Sequence, residues 1–223
     1  MSYFAPSFSN FFKELSQNNT TEWFNNNRKT YEKQVKEPFA SFVFEMISRI
    51  QKFEPEVTIK PADAIARINK DIRFSKDKTP YNTHVAANIS PYGKKDNSYP
   101  GFFFQLSHEK IEIYGGAYMV EPAQLSNIRN YISANLETFA EAYNGKKFKE
   151  RFGTIQGDKN KRLPEEFQGL VDKEPLIANK QFYYRAELEP SLIEQNTLPE
   201  VLMEYYEAGK KVNDFLRLAL KGI

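Results

Sequence analysis

A chain of 223 residues is long enough to bury one proper core, and its 19 Phe, 13 Tyr and 1 Trp supply much of what fills it. With 31 Lys and Arg against 29 Asp and Glu, the net charge is +2, far from the excess of a general nucleic-acid coat. Cysteine is absent, which excludes thiol nucleophiles, redox CxxC pairs, Cys-type zinc and iron–sulfur sites and disulfides; two histidines, His84 and His108, exclude HExxH and any imidazole-rich metal site.

The first predicted helix runs from Ser7 to Leu15, where Phe8, Phe11, Phe12 and Leu15 fall at helical spacing and Ser7 or Ser9 is placed to cap. Asn18-Asn19 breaks it, and a second cap at Asn19 or Thr20 opens a long helix with Trp23, Phe24, Tyr31 and Val35 on one face. Pro38 lacks an N–H, so a kink or fresh start is expected there. Phe39, Phe42, Val43, Met46, Ile47 and Ile50 then form a core-facing stripe.

Past Pro55 the period changes to two, at Val57 and Ile59 and from Ala64 to Phe74, as in strands. Val85–Ser90, Gly101–Ser107, Lys110–Tyr114 and Ala117–Val120 are further short strand candidates, with Ser107-His108-Glu109 as a hairpin turn that exposes His108. Helices resume near Pro122 and across Leu136–Tyr143, with Asn144-Gly145 as a stop. A polar loop covers Gly153–Leu163, Phe182–Leu188 is one more strand, and Leu198–Leu220 is a long terminal helix. Consecutive strands with tight turns predict an α+β fold over 1–223: a single domain with an antiparallel meander covered by N- and C-terminal helices.

The chain has no GxxxxGK[ST], no GxGxxG after a strand and no GxSxG elbow, so neither phosphate cradle nor that nucleophile motif applies. Met1–Phe12 does not read as a secretory signal, and no run approaches the roughly 20 apolar residues of a membrane span. These features predict a cytoplasmic protein with no membrane partner, no metal and no cofactor, its state as monomer or homodimer left open.

The chemistry concentrates in Arg67–His84. An extended backbone puts Arg67, Asn69, Asp71 and Arg73 on one face and Ala66, Ile68, Ile72 and Phe74 on the other, with Lys70 as an exception that must snorkel or sit at an edge. Two guanidinium forks with Asp71 between them suit bidentate contact with carboxylate or phosphate. A turn-rich loop with Lys76 and Lys78 follows, then a phenol, Tyr81, and an imidazole, His84. From Arg67 to Lys78 five basic residues face two acidic ones, a local +3 that attracts an anion. Near the second cap, Asn27, Arg28 and Tyr31 share a helical face able to line a cleft beside the sheet. The plain alternative is an Arg–Asp–Arg network that only pins a loop; a divalent cation on Asp71 and Asp77 fits poorly among so many cations.

This run resembles a known microbial family, the domain of unknown function 2461, long described as a conserved hypothetical protein. The resemblance rests on Arg67 and on Asp71-x-Arg73-Phe74-Ser75-Lys76-Asp77-Lys78-Thr79-Pro80-Tyr81, with support from Asn19, Trp23-Phe24, Gly115-Gly116, Arg129 and Lys161-Arg162-Leu163-Pro164. At Asn69-Lys70 the chain departs from the family pattern, where an aromatic or aliphatic residue precedes Arg. The resemblance implies kinship over nearly the whole chain and a single domain; it brings no activity, substrate or cofactor.

Three functions compete on these residues. In the first, Arg67, Asp71 and Arg73 clamp an anionic small molecule, Lys76 and Lys78 close over it, Arg28 contributes from the side, and Tyr81 or His84 transfers a proton. The second is a single-stranded nucleic-acid module using Phe74, Tyr81, Tyr92, Lys94, Lys95 and Tyr99. The third is a protein-interaction scaffold with exposed Phe102, Phe103 and Phe104.

Overall fold

The computed structural model describes residues 2–222. It is α+β with a single four-stranded antiparallel sheet in the order β1-β2-β3-β4, formed by β1 (His84–Ile89), β2 (Phe102–Ser107), β3 (Ile111–Ala117) and β4 (Phe182–Leu188). Every neighbour in the sheet is also the next strand in sequence, as the meander reading expects. The residues fall into two compact units.

The first unit comprises the residues up to Lys95, Phe103–Ile113 and Glu187–Met203. Its first helix, α1 (Pro6–Gln17), begins before both expected caps, one residue ahead of Ser7 and three ahead of Ser9. Proline is preorganised for the first helical position, so Pro6 starts the helix, and Ser7 instead donates to Gln34. Phe8, Phe11, Phe12 and Leu15 are buried as the spacing predicts. Thr20 caps α2 (Thr21–Asn26) by accepting the Trp23 N–H. The chain continues through α3 (Arg28–Thr30) and a π-helical turn, Tyr31–Lys36, into α4 (Glu37–Gln51). The widened turn lies immediately before Pro38, whose missing N–H removes one ordinary helical bond, so proline marks a change of register rather than a break. Phe39 and Phe42 of α4 meet Phe104 of β2 edge-on, with centroids 6.1 and 5.8 Å apart. Arg49 pairs with Glu45 one turn back on α4 and reaches across to Glu200.

Two expected strands do not form. Val57 and Ile59 lie in irregular chain, and Pro61 nucleates a short helix, α5 (Pro61–Ala64), where a strand was predicted to begin. Proline's fixed φ and the Asp63 carboxylate, which accepts the Lys60 N–H, favour a helical turn there.

The second unit comprises Asp96–Phe102, Tyr114–Ala186 and the residues from Glu204 onward. It holds α6 (Pro122–Ala134), α7 (Leu136–Asn144), α8 (Lys146–Phe152), α9 (Glu165–Gln168) and much of α10 (Leu198–Leu220). The predicted stop at Asn144-Gly145 does end α7, but α8 follows at once, because Phe148 and Phe152, four residues apart, both pack on Tyr184. Lys110–Tyr114 and Ala117–Val120 were expected as separate strands. Gly115 and Gly116 instead carry one ladder on to Ala117, where it ends, so that 118–120 form no strand; Gly116 has φ +87° and donates its N–H to Asn213.

Candidate functional site

Residues 65–87 form a hairpin-like excursion of the first unit. Isolated antiparallel bridges join Ile65 to Ala87 and Asn69 to Tyr81. Between them Ala66 N–H donates to Ala86 O and Asn82 N–H to Ile68 O, and just beyond the second Lys70 N–H donates to Pro80 O. The continuous two-faced strand expected over Ala64–Phe74 is therefore not present. Pairing stops near Lys70, since Pro80 offers no N–H and the turn-forming residues beyond it take the chain elsewhere. The supposed apolar face is not a buried one: Phe74 is 95% exposed, and Ile68 and Ile72 are half-buried.

Arg67 and Arg73 nevertheless meet, through their side chains rather than through a shared strand face. Arg73 grips Asp71 side-on, Nε to Oδ1 at 2.9 Å and Nη2 to Oδ2 at 2.7 Å. Arg67 Nη2 approaches the same Oδ2 at 3.9 Å. Their side chains are 71% and 76% exposed. The paired Arg73 guanidinium holds the Asp71 carboxyl below its usual range.

The tip between them is tied to itself. Lys70, read in the sequence as an awkward exception, is its staple: Nζ donates to Asp77 Oδ2 and to Thr79 Oγ1, both at 2.7 Å. Asp77 also accepts the Thr79 N–H, and Ser75 Oγ accepts the Asp77 N–H, two local turns of the kind that Ser and Asp favour. Lys70 foremost, then Thr79, pull the Asp77 carboxyl well below the usual carboxylate range. Asp71 and Asp77, the pair considered for a divalent ion, are thus each turned to a cation of their own. Lys78 donates to Ile72 O at 2.9 Å, so it braces the loop, while Lys76 stands exposed. Among the described residues no group of three or more His, Asp or Glu is placed to hold a metal ion.

Tyr81 anchors the hairpin. It is 5% exposed, and its ring stacks on Phe24 at 4.0 Å and 15°. Asn19 behaves like a piece of strand beside it: Nδ2 donates to Tyr81 O at 2.8 Å and Oδ1 accepts the Tyr81 N–H at 3.1 Å. Asn19 and Phe24 thereby acquire a function that no spacing within the sequence could reveal, since their partner lies some sixty residues away. Arg28 is exposed, donates to Asn25 Oδ1 and lies 5.7 Å from the Phe24 ring, the ring on which Tyr81 stacks.

His84 opens β1 half-buried. Beyond it lies a polar row that the sequence reading missed: Gln105 on β2, Glu112 on β3, and Lys110 with Glu187 at the strand ends. Gln105 donates to Glu112, whose side chain is only 9% exposed, and Lys110 Nζ bridges Glu112 at 2.9 Å and Glu187 at 3.3 Å. The available signal was a lone polar residue in each of two apolar runs, Phe102–Leu106 and Ile111–Ile113. His108 is half-buried in the turn rather than exposed.

Burial lowers the His84 pKa from its ordinary 6.5, with Glu112 pulling it up and Lys70 pushing it down. A histidine that resists protonation in the folded chain binds fewer protons than it does unfolded. Its penalty is absent above the unfolded pKa and grows as pH falls through 6.5 toward the folded value. Denaturant titrations should show wild type losing stability faster than His84→Gln between pH 7 and 5, with the two curves parallel above pH 7. Parallel curves throughout would remove the desolvation argument.

Other stretches that resemble the family serve the fold. Arg129, buried on α6, donates to Ile177 O and Asn179 O at 3.0 Å, fixing the turn that leads into β4; its burial lowers its own pKa. Three aromatics proposed for other roles are also spent within their units. Phe102 and Phe104 are core residues, and Tyr99 lies under Arg217, 5.2 Å from ring centre to guanidinium. Lys94 is engaged by the carbonyls of Ala62 and Ile65.

No helix among the described residues is long and apolar enough to cross a membrane. Comparison with curated proteins and with solved structures finds no match. The family comparison does: residues 7–215 match the conserved hypothetical protein family DUF2461, a span that takes in the tied hairpin, its Asn19–Phe24 anchor and all four strands. The chain belongs to that family.

Proposed function

We propose that the hairpin tip is a docking point for a phosphate- or carboxylate-bearing ligand, with binding rather than catalysis as its primary task. The observation that supports this most is the convergence of two solvent-facing guanidiniums on one carboxylate, 2.7 and 3.9 Å from Asp71 Oδ2. The side-on pair uses two of the five Arg73 donors, so the Nη1 edge stays available for an incoming oxyanion. Asp71 orients the fork in advance, which lowers the ordering cost of binding. Lys76 adds an exposed charge beside it.

Tyr81 is spoken for by Phe24 and Asn19, which favours an anchoring role over proton transfer. His84 remains the group suited to acid–base work, half-buried at the start of β1 and within the electrostatic influence of Glu112.

Replacing Arg73 with Ala should abolish the chemical-shift response of the tip amides to inorganic phosphate or pyrophosphate. The melting temperature should stay nearly unchanged, because an ion pair this exposed is screened by water. A large loss of stability with no change in anion response would mean that the arginines only pin the loop.

A further inference from the structure

We infer, resting on the anion-docking reading above, that the ligand of this tip is single-stranded nucleic acid, with a base stacked on Phe74 and its flanking phosphates on Arg67, Arg73 and Lys76. Among the described residues Phe74 is the most exposed large hydrophobic side chain, at 95%, and it stands between the cations Arg73 and Lys76 in the chain. The Arg73 guanidinium lies 5.9 Å from its ring centre, so one side chain borders both the aromatic face and the acidic partner Asp71.

A phenylalanine that was merely left over would be expected to fold back onto apolar neighbours. Here the loop is pinned on several sides, by Lys70 to Asp77 and Thr79, by Lys78 to Ile72 O and by the Asn19 clamp on Tyr81. A tied tip that still presents its ring to water is a preorganised platform. A single ring ringed by cations is a poor protein interface, which needs contiguous apolar area. It does suit a nucleotide chain, in which each flat base carries a phosphate on either side and every base has a π-face to stack.

The wider set of aromatics and lysines read from the sequence narrows accordingly. Tyr81 is buried against Phe24 and Lys94 is held by two carbonyls, so neither competes with Phe74 for a base. With about three cations engaged, affinity for a short oligonucleotide should fall roughly 20-fold between 50 and 200 mM salt.

The test uses the full chain with three probes: a ten-nucleotide oligothymidylate, pyrophosphate, and vesicles of anionic phospholipid. Phe74→Ala should weaken oligonucleotide binding by about 5- to 150-fold, the range expected for one stacked base. Pyrophosphate binding should be untouched in that variant, Phe74→Trp should restore the oligonucleotide, and Arg73→Ala should weaken both. Because Phe74 is exposed, circular dichroism of the variants should match wild type. Oligonucleotide affinity that ignores Phe74→Ala overturns the inference and leaves anion docking intact. Pyrophosphate binding without oligonucleotide binding does the same, as does capture by the vesicles in place of the oligonucleotide. Failure of every probe overturns both readings.

Discussion

Gly209→Ala should destabilise this protein, against the usual rule for a glycine inside a helix. In a helix interior alanine is favoured over glycine by about 1 kcal/mol, so propensity alone predicts a gain in α10. The surroundings reverse the sign. A Cβ at Gly209 falls 2.1 Å from the Tyr184 hydroxyl and 2.6 Å from the ring carbon that bears it. The phenol cannot swing aside, because a Cβ at Gly115 on the other side would also lie 2.3 Å from the same oxygen, so Tyr184 fills a slot between two glycines. Phe148 and Phe152 pack against its ring at 5.1 and 4.5 Å, and the hydroxyl lies within hydrogen-bonding distance of Gly209 O and Asn213 Oδ1. Overpacking of this kind costs about 1–3 kcal/mol and occasionally more, enough to outweigh the propensity term. Chemical denaturation measures the difference. In a Tyr184→Ala background the clash is gone, and the same substitution at 209 should become neutral or stabilising, a non-additivity expected only of residues in direct contact. A stabilised single variant would refute the slot.

The contrast between legible and hidden parts of the fold follows from the range of the interactions involved. The stripe Phe39–Ile50, the strand Phe182–Leu188 and the helix Leu198–Leu220 were readable because burial of one face imposes a period that lies within a few residues. Ala64–Phe74 shows the same alternation without being a strand. Phe74 on the apolar side of that pattern is exposed and Ile68 and Ile72 are only half-buried, and a period of two specifies a strand only where one face is buried. The candidate site divides in the same way. Arg67, Asp71 and Arg73 could be found from spacing because a carboxylate four and two residues from two arginines can hold both. Lys70 was misjudged because its partners, Asp77 and Thr79, are reached only once the loop has turned back. The partner of Asn19 needed the tertiary fold itself, whereas Gln105 and Glu112 left a sequence signal, a lone polar residue in each of two apolar runs.

Tyr81→Ala should be the most damaging single change in the hairpin. The ring is buried and stacked on Phe24, and truncating a large buried aromatic to alanine costs about 3–5 kcal/mol. Asn19→Ala attacks the same anchor from the other side. It leaves the N–H and C=O of Tyr81 without the side-chain amide that meets both, a loss of about 1–3 kcal/mol for buried groups left unpaired. Both substitutions should also loosen the tip, so the response of Arg67 and Arg73 to pyrophosphate should weaken although neither arginine has been touched. Tyr81→Phe separates anchoring from chemistry. It keeps the stacked ring and the backbone clamp and removes only the phenol oxygen, so stability and anion response should stay close to wild type. If Tyr81→Phe instead abolished a ligand response while the fold persisted, the phenol would be acting on the ligand directly, and the anchor would have to be reassigned to Asn19 and Phe24 alone.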